Sequence, residues 1–490
     1  MSLSLLLPAL ALVAALLLTP ITSLVARRNG WIDQPGLRKI HREPIPYLGG
    51  AAVLGAVLLA LLVGPWLPLV SDTEVTLDRR LLAVLLGSLF MFAVGLRDDI
   101  LRMGALSKLL VQVGAAGLVV LSGVSIDGLW ITADLRLDFG VFGVPLTMLW
   151  IVGATNAFNI IDGLDSLASG LAIIACGAIA WTASKGGEQG AALLMLTLMG
   201  AIAGFLPHNL HPARVFLGDA GSLAIGFLLA SAAALVASSA TTLSGFSVPM
   251  VALGIPILDT SFAMLRRFIE GRSVMSADRS HIHHRLIRIG FGQRKAVATL
   301  CGASAAAVGV VALGSVGGVP SLAAFLGALL LLVLVFSASG SIRIKESFDS
   351  FRQVASSARS VSDEKHAVDE LALAFRETQS LEEWWRVVTK AAGILEFSSL
   401  SMEAGRRDGG AFTLEWQRTT QDGAAVEAGP ATHVSIPVSD RREGSVLMLE
   451  ATIPHDSEVG TLGRRLALFH PFLSYNGLER LASAAPAERA

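Results

Sequence analysis

The chain has 490 residues, of which 53% are hydrophobic and only 16% are charged, and its formal net charge is −1. Soluble proteins carry about 25% charged residues, so this composition excludes a protein that is soluble along its whole length. The sequence contains no concentrated basic tract, and we therefore expect no nucleic-acid partner.

The charged residues divide the chain into regions. Residues 1–340 hold 21 Lys and Arg and 17 Asp and Glu, whereas residues 341–490 hold 17 and 22 in under half the length. We predict a membrane-embedded domain over residues 1–340, a Ser-rich linker over 341–365 and a soluble cytoplasmic domain over 366–490.

Apolar runs fill the first region. A transmembrane helix needs about 20 apolar residues. Eleven runs approach or reach this length, at roughly 4–25, 49–70, 80–96, 106–124, 141–158, 166–184, 190–207, 221–238, 244–265, 297–315 and 318–338. They predict a polytopic α-helical membrane protein with about 11 transmembrane helices. Arg27 and Arg28 follow the first run, and no basic segment precedes it, which favours an uncleaved span over a signal peptide.

Lys and Arg are concentrated in alternate loops. The loops after odd-numbered runs carry 17 of them, whereas the loops after even-numbered runs carry four. Because basic residues stay on the cytoplasmic side, the bias predicts an outside N-terminus and a cytoplasmic C-terminus. The dense polar clusters of the first region then all lie on the cytoplasmic face, at residues 33–41, 98–99, 156–165, 209–222 and 278–284.

This one-sided placement bears on the class of protein. A transporter is expected to place charges near the membrane midplane and to offer routes from both sides. Asp259 is the one acidic residue inside a predicted span, toward its cytoplasmic end. An active site at the cytoplasmic surface therefore fits the pattern better than a polytopic transporter or lipid-binding scaffold, which remains the alternative from another class.

Two clusters supply oxygen ligands. Asp98 and Asp99 end the third run, where an adjacent carboxylate pair suits a general base or a shared cation, with a solvated helix end as the alternative. In the predicted loop 156–165, the spacing of Asn159 and Asp162 places them on one helical face. Hard oxygen ligands of this kind suit Mg²⁺, with a simple polar turn as the alternative.

Two further clusters suit anions. In the stretch 216–222, glycines allow close approach to a phosphate or a metal, and a helix that starts at Gly221 and Ser222 would favour an anion, unless Ser222 is a plain N-cap. The stretch 278–285 holds three histidines and two arginines. Because no Cys is nearby, a pyrophosphate-binding loop fits better than a zinc site or a solvated surface. Together the clusters predict Mg²⁺-assisted phosphoryl transfer.

These motifs resemble those of the polyprenyl-phosphate N-acetylhexosamine-1-phosphate transferases, glycosyltransferase family 4. The matching segments lie in order within residues 1–340. They are residues 33–41 with Pro44, Pro46, Gly49 and Gly50; 95–99 with Lys108 and Gln112; 156–165; 209–212 with 216–222; and 278–284. The last segment is similar to the WecA/TagO branch more than to MraY.

The resemblance implies a reaction and its cofactor. A UDP-N-acetylhexosamine, most simply UDP-GlcNAc, and undecaprenyl phosphate would give the lipid diphospho-sugar and UMP with Mg²⁺, Mn²⁺ being a possible substitute. The setting would be the cytoplasmic face of a bacterial inner membrane, as the first membrane step of cell-envelope polysaccharide synthesis. A MraY-like phospho-MurNAc-pentapeptide transferase remains the alternative. The choice between direct attack and a covalent intermediate stays open, and so does the formation of a homodimer.

The resemblance also implies residue roles. Catalytic roles fall to Asp98, Asp99, Asp162 and Asp165. Asn159 and Asp219 are the implied metal ligands. The implied substrate-binding residues are Lys108, Asn156, Arg279, His281, His283 and His284. Two departures stand out: Arg102 replaces a frequent third acid, and Ser166 replaces a usual glycine, from which we expect a modest local change.

The resemblance does not extend to the C-terminal region. Helical periodicity over 368–395 is followed by alternating runs at 398–403, 411–417, 432–437 and 444–451 and by a helix near 457–478. This order predicts a small α+β domain that is loosely similar to GAF-type sensor domains, with a regulatory or docking role.

Overall fold

A computed structural model describes most of the membrane region and the centre of the C-terminal region. The described residues are 3–34, 43–66, 78–132, 134–269, 281–340, 368, 370–371, 378, 381–405, 411–419, 431–439, 446–454 and 459–473. The chain forms two compact units, Met1–Phe348 and Asp349–Ala490. The predicted linker 341–365 lies outside the described residues.

The first unit is a bundle of helices. They are α1 (Leu3–Arg28), α2 (Gly49–Val63), α3 (Arg79–Leu101), α4 (Ala105–Leu121), α5 (Gly143–Ile161), α6 (Leu167–Lys185), α7 (Gln189–Asn209), α8 (Gly218–Ser238), α9 (Leu243–Ala252), α10 (Gly254–Ile269), α11 (Ile282–Arg288), α12 (Gln293–Val316) and α13 (Ser321–Ala338). Among the described residues, nine helices are long and apolar enough to cross a membrane. The prediction of a polytopic helical membrane protein is therefore confirmed.

Two of the eleven predicted spans differ from a simple long helix. The predicted span 244–265 is wrong as a single helix, because α9 and α10 meet at Leu253 with a bend of 69°. Gly254 and Pro256 follow the break, and a proline restricts the residue before it and removes a helix hydrogen bond. The helix α4 is apolar but has only 17 residues, so the number of spans stays a prediction.

Helix α8 is the centre of the bundle. Its 18-residue apolar window is wholly buried, and its sequence is rich in Ala, Gly and Ser, small residues that let neighbouring helices approach closely. A Cβ atom on Gly95 of α3 would lie 2.3 Å from the Asp219 carbonyl oxygen, and one on Gly50 of α2 would lie 2.2 Å from the Gly221 Cα. These glycines therefore bring the ends of α2 and α3 against the first turn of α8.

The two ends of the bundle are built differently. At one end, β1 (Ile32–Asp33) and β2 (Ile45–Pro46) form a short antiparallel pair beside the first turn of α8. At the other end, β3 (Gly128–Trp130) and β4 (Arg136–Asp138) form a hairpin that precedes α5. We call the first the cavity end and the second the hairpin end.

The second unit contains a four-stranded antiparallel sheet in the order β6-β5-β8-β7. Its elements are α14 (Leu381–Ile394), β5 (Ser399–Gly405), β6 (Ala411–Gln417), β7 (Ala431–Ser439), β8 (Val446–Pro454) and α15 (Val459–Phe469). Trp384, Phe397 and Phe469 are fully buried in its core. The strands overlap the four runs that alternation predicts. Among the described residues of this unit no feature identifies a ligand, and its regulatory role stays a prediction.

Candidate active site

A cavity of about 900 Å³ opens at the cavity end of the bundle. Each of the five predicted polar clusters contributes at least one residue to its wall. Seven of the predicted site residues line it: Asp98, Asp99, Asn159, Asp162, Asp165, Asp219 and His284. Five of these seven are carboxylates, so the cavity concentrates negative charge.

Lys108 joins two of these carboxylates. Its ammonium group forms ion pairs with Asp98 Oδ2 and, at 3.2 Å, with Asp219 Oδ2. Asp98 also accepts a hydrogen bond from the Met103 backbone N–H. Lys108 thus lies beside the acidic pair of α3 and the first turn of α8, where its ammonium group offsets part of the negative charge of Asp98 and Asp219. Lys108 is not among the described residues that line the cavity.

Asp99 faces the backbone of α8. Its Oδ1 accepts a hydrogen bond from the Asp219 N–H at 3.0 Å, and its Oδ2 accepts one from the Ala220 N–H at 3.1 Å. The first N–H groups of a helix have no partner within it and carry partial positive charge, so a carboxylate is favourable there. Asp98 and Asp99 are therefore adjacent in sequence but different in role: Asp99 fixes α8, and Asp98 faces Lys108.

Asn159 and Asp219, the two predicted metal ligands, are in contact. The Asn159 Nδ2 donates to Asp219 Oδ1 at 3.1 Å and to Ser222 Oγ at 2.7 Å. With the amide assigned in this way, no described residue donates to the Asn159 Oδ1. That oxygen and the Asp219 carboxylate are available on the cavity wall for a cation.

The structure corrects two local expectations here. Residues 156–161 belong to the last turns of α5 rather than to a loop, so a helix end carries Asn159 into the cavity. Helix α8 begins at Gly218, so Ser222 is not its N-cap, and its Oγ donates to the Gly218 carbonyl at 3.0 Å. Gly218 itself has φ of 73°, a conformation that glycine adopts readily.

Asp162 follows the last residue of α5 and lies on the cavity wall. Burial raises the pKa of its carboxyl group to about 7, and the negative charges of Asp219, Asp99 and Asp165 act in the same direction. A carboxyl group in this environment ionises more readily when a cation enters the cavity.

Asp165 contacts His211, a residue of the matching segment 209–212 to which the sequence analysis assigns no role. Its Oδ2 lies 2.7 Å from His211 Nδ1 and accepts a hydrogen bond from the Ala213 N–H at 3.1 Å. His211 also lines the cavity. A lone histidine in a loop carries little signal by itself, and only the fold places this one beside Asp165.

Ser166 departs from the glycine that is usual in the family, and its backbone explains that usage. It has φ of 63°, in the left-handed region, which disfavours residues with a Cβ atom. The Ser166 N–H donates to the buried Asn209 Oδ1 at 3.0 Å. The modest local change expected at this position is therefore a strained backbone conformation, which the hydrogen bond to Asn209 stabilises.

Arg102, the second departure, lines the cavity and has φ of 50°.

The three histidines do not enter the cavity together. His284 lines it, whereas His281 and His283 are 7% and 2% exposed and lie behind the wall. The His283 Nε2 lies 2.5 Å from the point where a Cβ atom on Gly163 would be. Burial lowers the pKa of His283 to about 3, with the neighbouring histidines contributing, so its ring is neutral. Arg279, a predicted substrate-binding residue, lies outside the described residues.

Asn156 also lies behind the cavity wall. Its amide exchanges hydrogen bonds with Gln112, at 2.7 and 3.1 Å, and also donates to the Val152 carbonyl. Among the described residues that line the cavity, Asn156 does not appear. Its predicted substrate-binding role therefore has no direct geometric support, and the hydrogen bonds between Asn156 and Gln112 join α5 to α4.

Tyr47, which the sequence analysis missed, lines the cavity, and its hydroxyl donates to the Asp99 backbone carbonyl at 3.0 Å.

The residues present suit a magnesium ion, whose preferred ligands are oxygen atoms. In the described part of the chain, no group of three or more His, Cys, Asp or Glu side chains could hold a metal ion. Mg²⁺ needs no such cage, because it keeps several waters and uses one or two carboxylates together with substrate phosphates. The Asn159 Oδ1 and the Asp219 carboxylate fit that requirement.

Comparison with known proteins places the chain in a family. The family model described as glycosyl transferase family 4 matches residues 81–237. A Bacillus subtilis protein named "Probable undecaprenyl-phosphate N-acetylglucosaminyl 1-phosphate transferase" is 36% identical over 288 residues, which cover 59% of this chain and 78% of the relative.

Two other relatives support the same assignment. A decaprenyl-phosphate N-acetylglucosaminephosphotransferase of Mycolicibacterium smegmatis is 36% identical over 296 residues, 56% of this chain and 72% of the relative. An undecaprenyl-phosphate alpha-N-acetylglucosaminyl 1-phosphate transferase of Escherichia coli is 30% identical over 298 residues, 59% of this chain and 78% of the relative. By its identity to these proteins over most of their length, the chain belongs to glycosyl transferase family 4.

Proposed function

We propose that the chain transfers N-acetylglucosamine 1-phosphate from UDP-N-acetylglucosamine to undecaprenyl phosphate and releases UMP. The names of its relatives supply the reaction. The single structural observation that carries it is that Asp98, Asn159 and Asp219 line one cavity, with Lys108 in contact with both carboxylates. Carboxylate and amide oxygens beside a cation are what a diphosphate-transfer site requires.

Asp98 and Lys108 act on the lipid phosphate. An oxygen of this phosphate attacks the phosphorus that carries the sugar, and the bond from that phosphorus to the bridging oxygen breaks, so that UMP leaves with the bridging oxygen. Asp98 accepts a proton from the lipid phosphate where one is present, and Lys108 holds the phosphate next to it. We favour this direct attack, because the nucleophile already carries its charge.

Asn159 and Asp219 would hold Mg²⁺, which when bound neutralises diphosphate charge and polarises the reacting phosphorus. Asp99 keeps the first turn of α8 in place through two N–H groups, and thereby fixes Asp219. Asp162 and Asp165 order the wall on which the nucleotide lies, with Asp165 holding His211. His284 faces the same cavity and can contact the diphosphate or the sugar.

The orientation in the membrane, the number of spans and the role of the C-terminal unit are part of this proposal. The cavity end would face the cytoplasm of a bacterial inner membrane, the N-terminus would lie outside, and about 11 segments would cross the bilayer. Lys and Arg counts of 17 against four in alternate loops support this orientation. The C-terminal unit would then be a cytoplasmic regulatory or docking domain.

Purified full-length protein in nanodiscs tests the proposal. UMP release should require undecaprenyl phosphate, UDP-N-acetylglucosamine and Mg²⁺, and mass analysis should identify the lipid diphospho-sugar. UDP-N-acetylgalactosamine and UDP-MurNAc-pentapeptide serve as competing donors. If no UDP-amino sugar yields UMP, the proposal is wrong. If UDP-MurNAc-pentapeptide is the preferred donor, the sugar assignment is wrong.

A further inference from the structure

Asp259 is a buried carboxylate that the reaction above does not use. It lies on α10 and is only 3% exposed. An ionisable side chain inside a membrane bundle is expensive unless partners or a function hold it there. Both of its oxygens are engaged at the start of α11: Oδ2 lies 2.9 Å from His281 Nδ1, and Oδ1 accepts a hydrogen bond from the Ile282 N–H at 2.8 Å.

These contacts fix more than one residue. When Asp259 is ionised it only accepts hydrogen bonds, and His281 Nδ1 is then the donor in their hydrogen bond. The Ile282 N–H is one of the first N–H groups of α11, which a negative charge stabilises. Asp259 therefore sets both the ring orientation of His281 and the direction in which α11 begins.

The histidines continue this chain of contacts to the cavity. The rings of His281 and His283 are parallel within 6°, with centroids 6.0 Å apart, and the centroids of His283 and His284 are 4.3 Å apart. His283 packs on Gly163, the residue after Asp162, and His284 lines the cavity. Asp259 is not among the residues that line the cavity, so it can act on a substrate only through this stack.

We propose that Asp259 is a positioning residue for the transfer reaction, which holds His281 and the start of α11 so that His284 enters the cavity and His283 packs on the Gly163 turn. The effect on catalysis rests on the proposed function, whereas the effect on the histidines does not. An anchor that served folding alone would change stability without changing the exposure of the histidines or the kinetics of the folded protein.

Three variants of the full-length protein separate these roles. Asp259→Ala removes both contacts, and Asp259→Asn keeps one acceptor and removes the charge. Thr260→Ala is the matched control on the next position of α10, because the Thr260 hydroxyl is buried and has no hydrogen-bond partner among the described residues. Each folded variant is treated with diethyl pyrocarbonate, and modified histidines are mapped by mass spectrometry. The values of kcat and KM are measured for both substrates.

The expected result has two parts. In wild type and Thr260→Ala, His284 is modified while His281 and His283 are protected. In Asp259→Ala, all three are modified, and kcat/KM for the sugar nucleotide falls about 10–100-fold, the loss typical of removing a residue that orients a functional one. Asp259→Asn should be intermediate, because it keeps one acceptor.

Each other outcome is decisive. If a folded Asp259 variant shows the wild-type protection pattern and wild-type kinetics, the positioning role is wrong, even where its melting temperature is lower. If Asp259→Ala does not fold, Asp259→Asn decides between the same alternatives. If wild type has no transferase activity, the proposed function fails, while the protection of His281 and His283 still tests the role of Asp259 in holding the stack.

Discussion

Helix α3 begins with Asp78 and Arg80 at the hairpin end and finishes with Asp98 and Asp99 at the cavity end. At the hairpin end each carboxylate of the described cluster is paired, because one guanidinium group contacts both Asp78 and Glu188. The Arg80 guanidinium donates to Asp78 and, with two nitrogens at 3.1 Å, to Glu188, which also accepts a hydrogen bond from Ser239. These contacts join the start of α3, the turn before α7 and the end of α8.

Asp78 shows the consequence of this matching. Its side chain caps α3 by accepting a hydrogen bond from the Leu81 N–H at 2.9 Å. Burial acts to raise the pKa of Asp78, but this hydrogen bond and the Arg80 charge outweigh burial and hold the pKa below its ordinary value. The hairpin end is therefore a closed network in which Asp78 is stable as an anion without a ligand.

The cavity end has the opposite balance. Seven carboxylates line one cavity, and Lys108 contacts two of them. The pKa of Asp162 is raised there, whereas that of Asp78 is lowered at the other end. Carboxylates thus stabilise the fold where each is paired with a guanidinium group. Where most of them lack such a pair, they can bind a cation and, through it, a phosphate. The predictions below test this contrast.

The largest effect is expected from Asp98→Asn. This change removes the carboxylate that faces Lys108, and we expect the rate of UMP release to fall about 10²–10⁴-fold, the usual contribution of a positioned proton acceptor. Asp138→Asn, at the exposed carboxylate of the hairpin end, is the matched control and should keep the wild-type rate. A comparable loss in both variants would show that the contrast between the ends has no bearing on the reaction.

A smaller effect is expected from Asn159→Ala. The variant loses the amide oxygen that is available to a cation, so the Mg²⁺ concentration for half-maximal activity should rise about tenfold or more. Ser222→Ala removes a hydroxyl that contacts the Asn159 Nδ2 and the Gly218 carbonyl but not the Asn159 Oδ1, and should change this concentration less. An unchanged Mg²⁺ requirement in Asn159→Ala would exclude Asn159 as a ligand.

The membrane fold and the choice of site residues follow largely from local patterns in the sequence. Apolar runs predict the helices, and seven of the predicted side chains do meet at one cavity. A local pattern does not show which neighbour each side chain contacts. Asp99 contacts the first turn of α8 whereas Asp98 contacts Lys108, and the fold alone brings His211 to Asp165. The bend after α9 depends on Gly254 and Pro256, whose effect on the backbone a hydropathy window does not register.

Activity at low pH offers a further test. Because the pKa of Asp162 is raised to about 7, a proton competes with the cation near and below that pH. We expect the Mg²⁺ concentration for half-maximal activity to increase as the pH falls from about 8 to about 6, and Asp162→Asn to weaken this dependence in the activity that remains. A Mg²⁺ requirement that does not change over this range would contradict the raised pKa.

The smallest effect on activity is expected at the hairpin end. Glu188→Gln removes one of the two carboxylates that Arg80 contacts, at a site where both side chains are largely buried, with 29% and 17% exposure. We expect the free energy of unfolding to fall by about 1–3 kcal/mol, because a largely buried charge loses one of its two partners. Thermal unfolding of the purified protein measures the loss, and UMP release at a temperature where the variant is folded should match wild type. A fall in kcat at that temperature would mean that the closed network at one end of α3 and α8 also sets the geometry of Asp98 and Asp219 at the other.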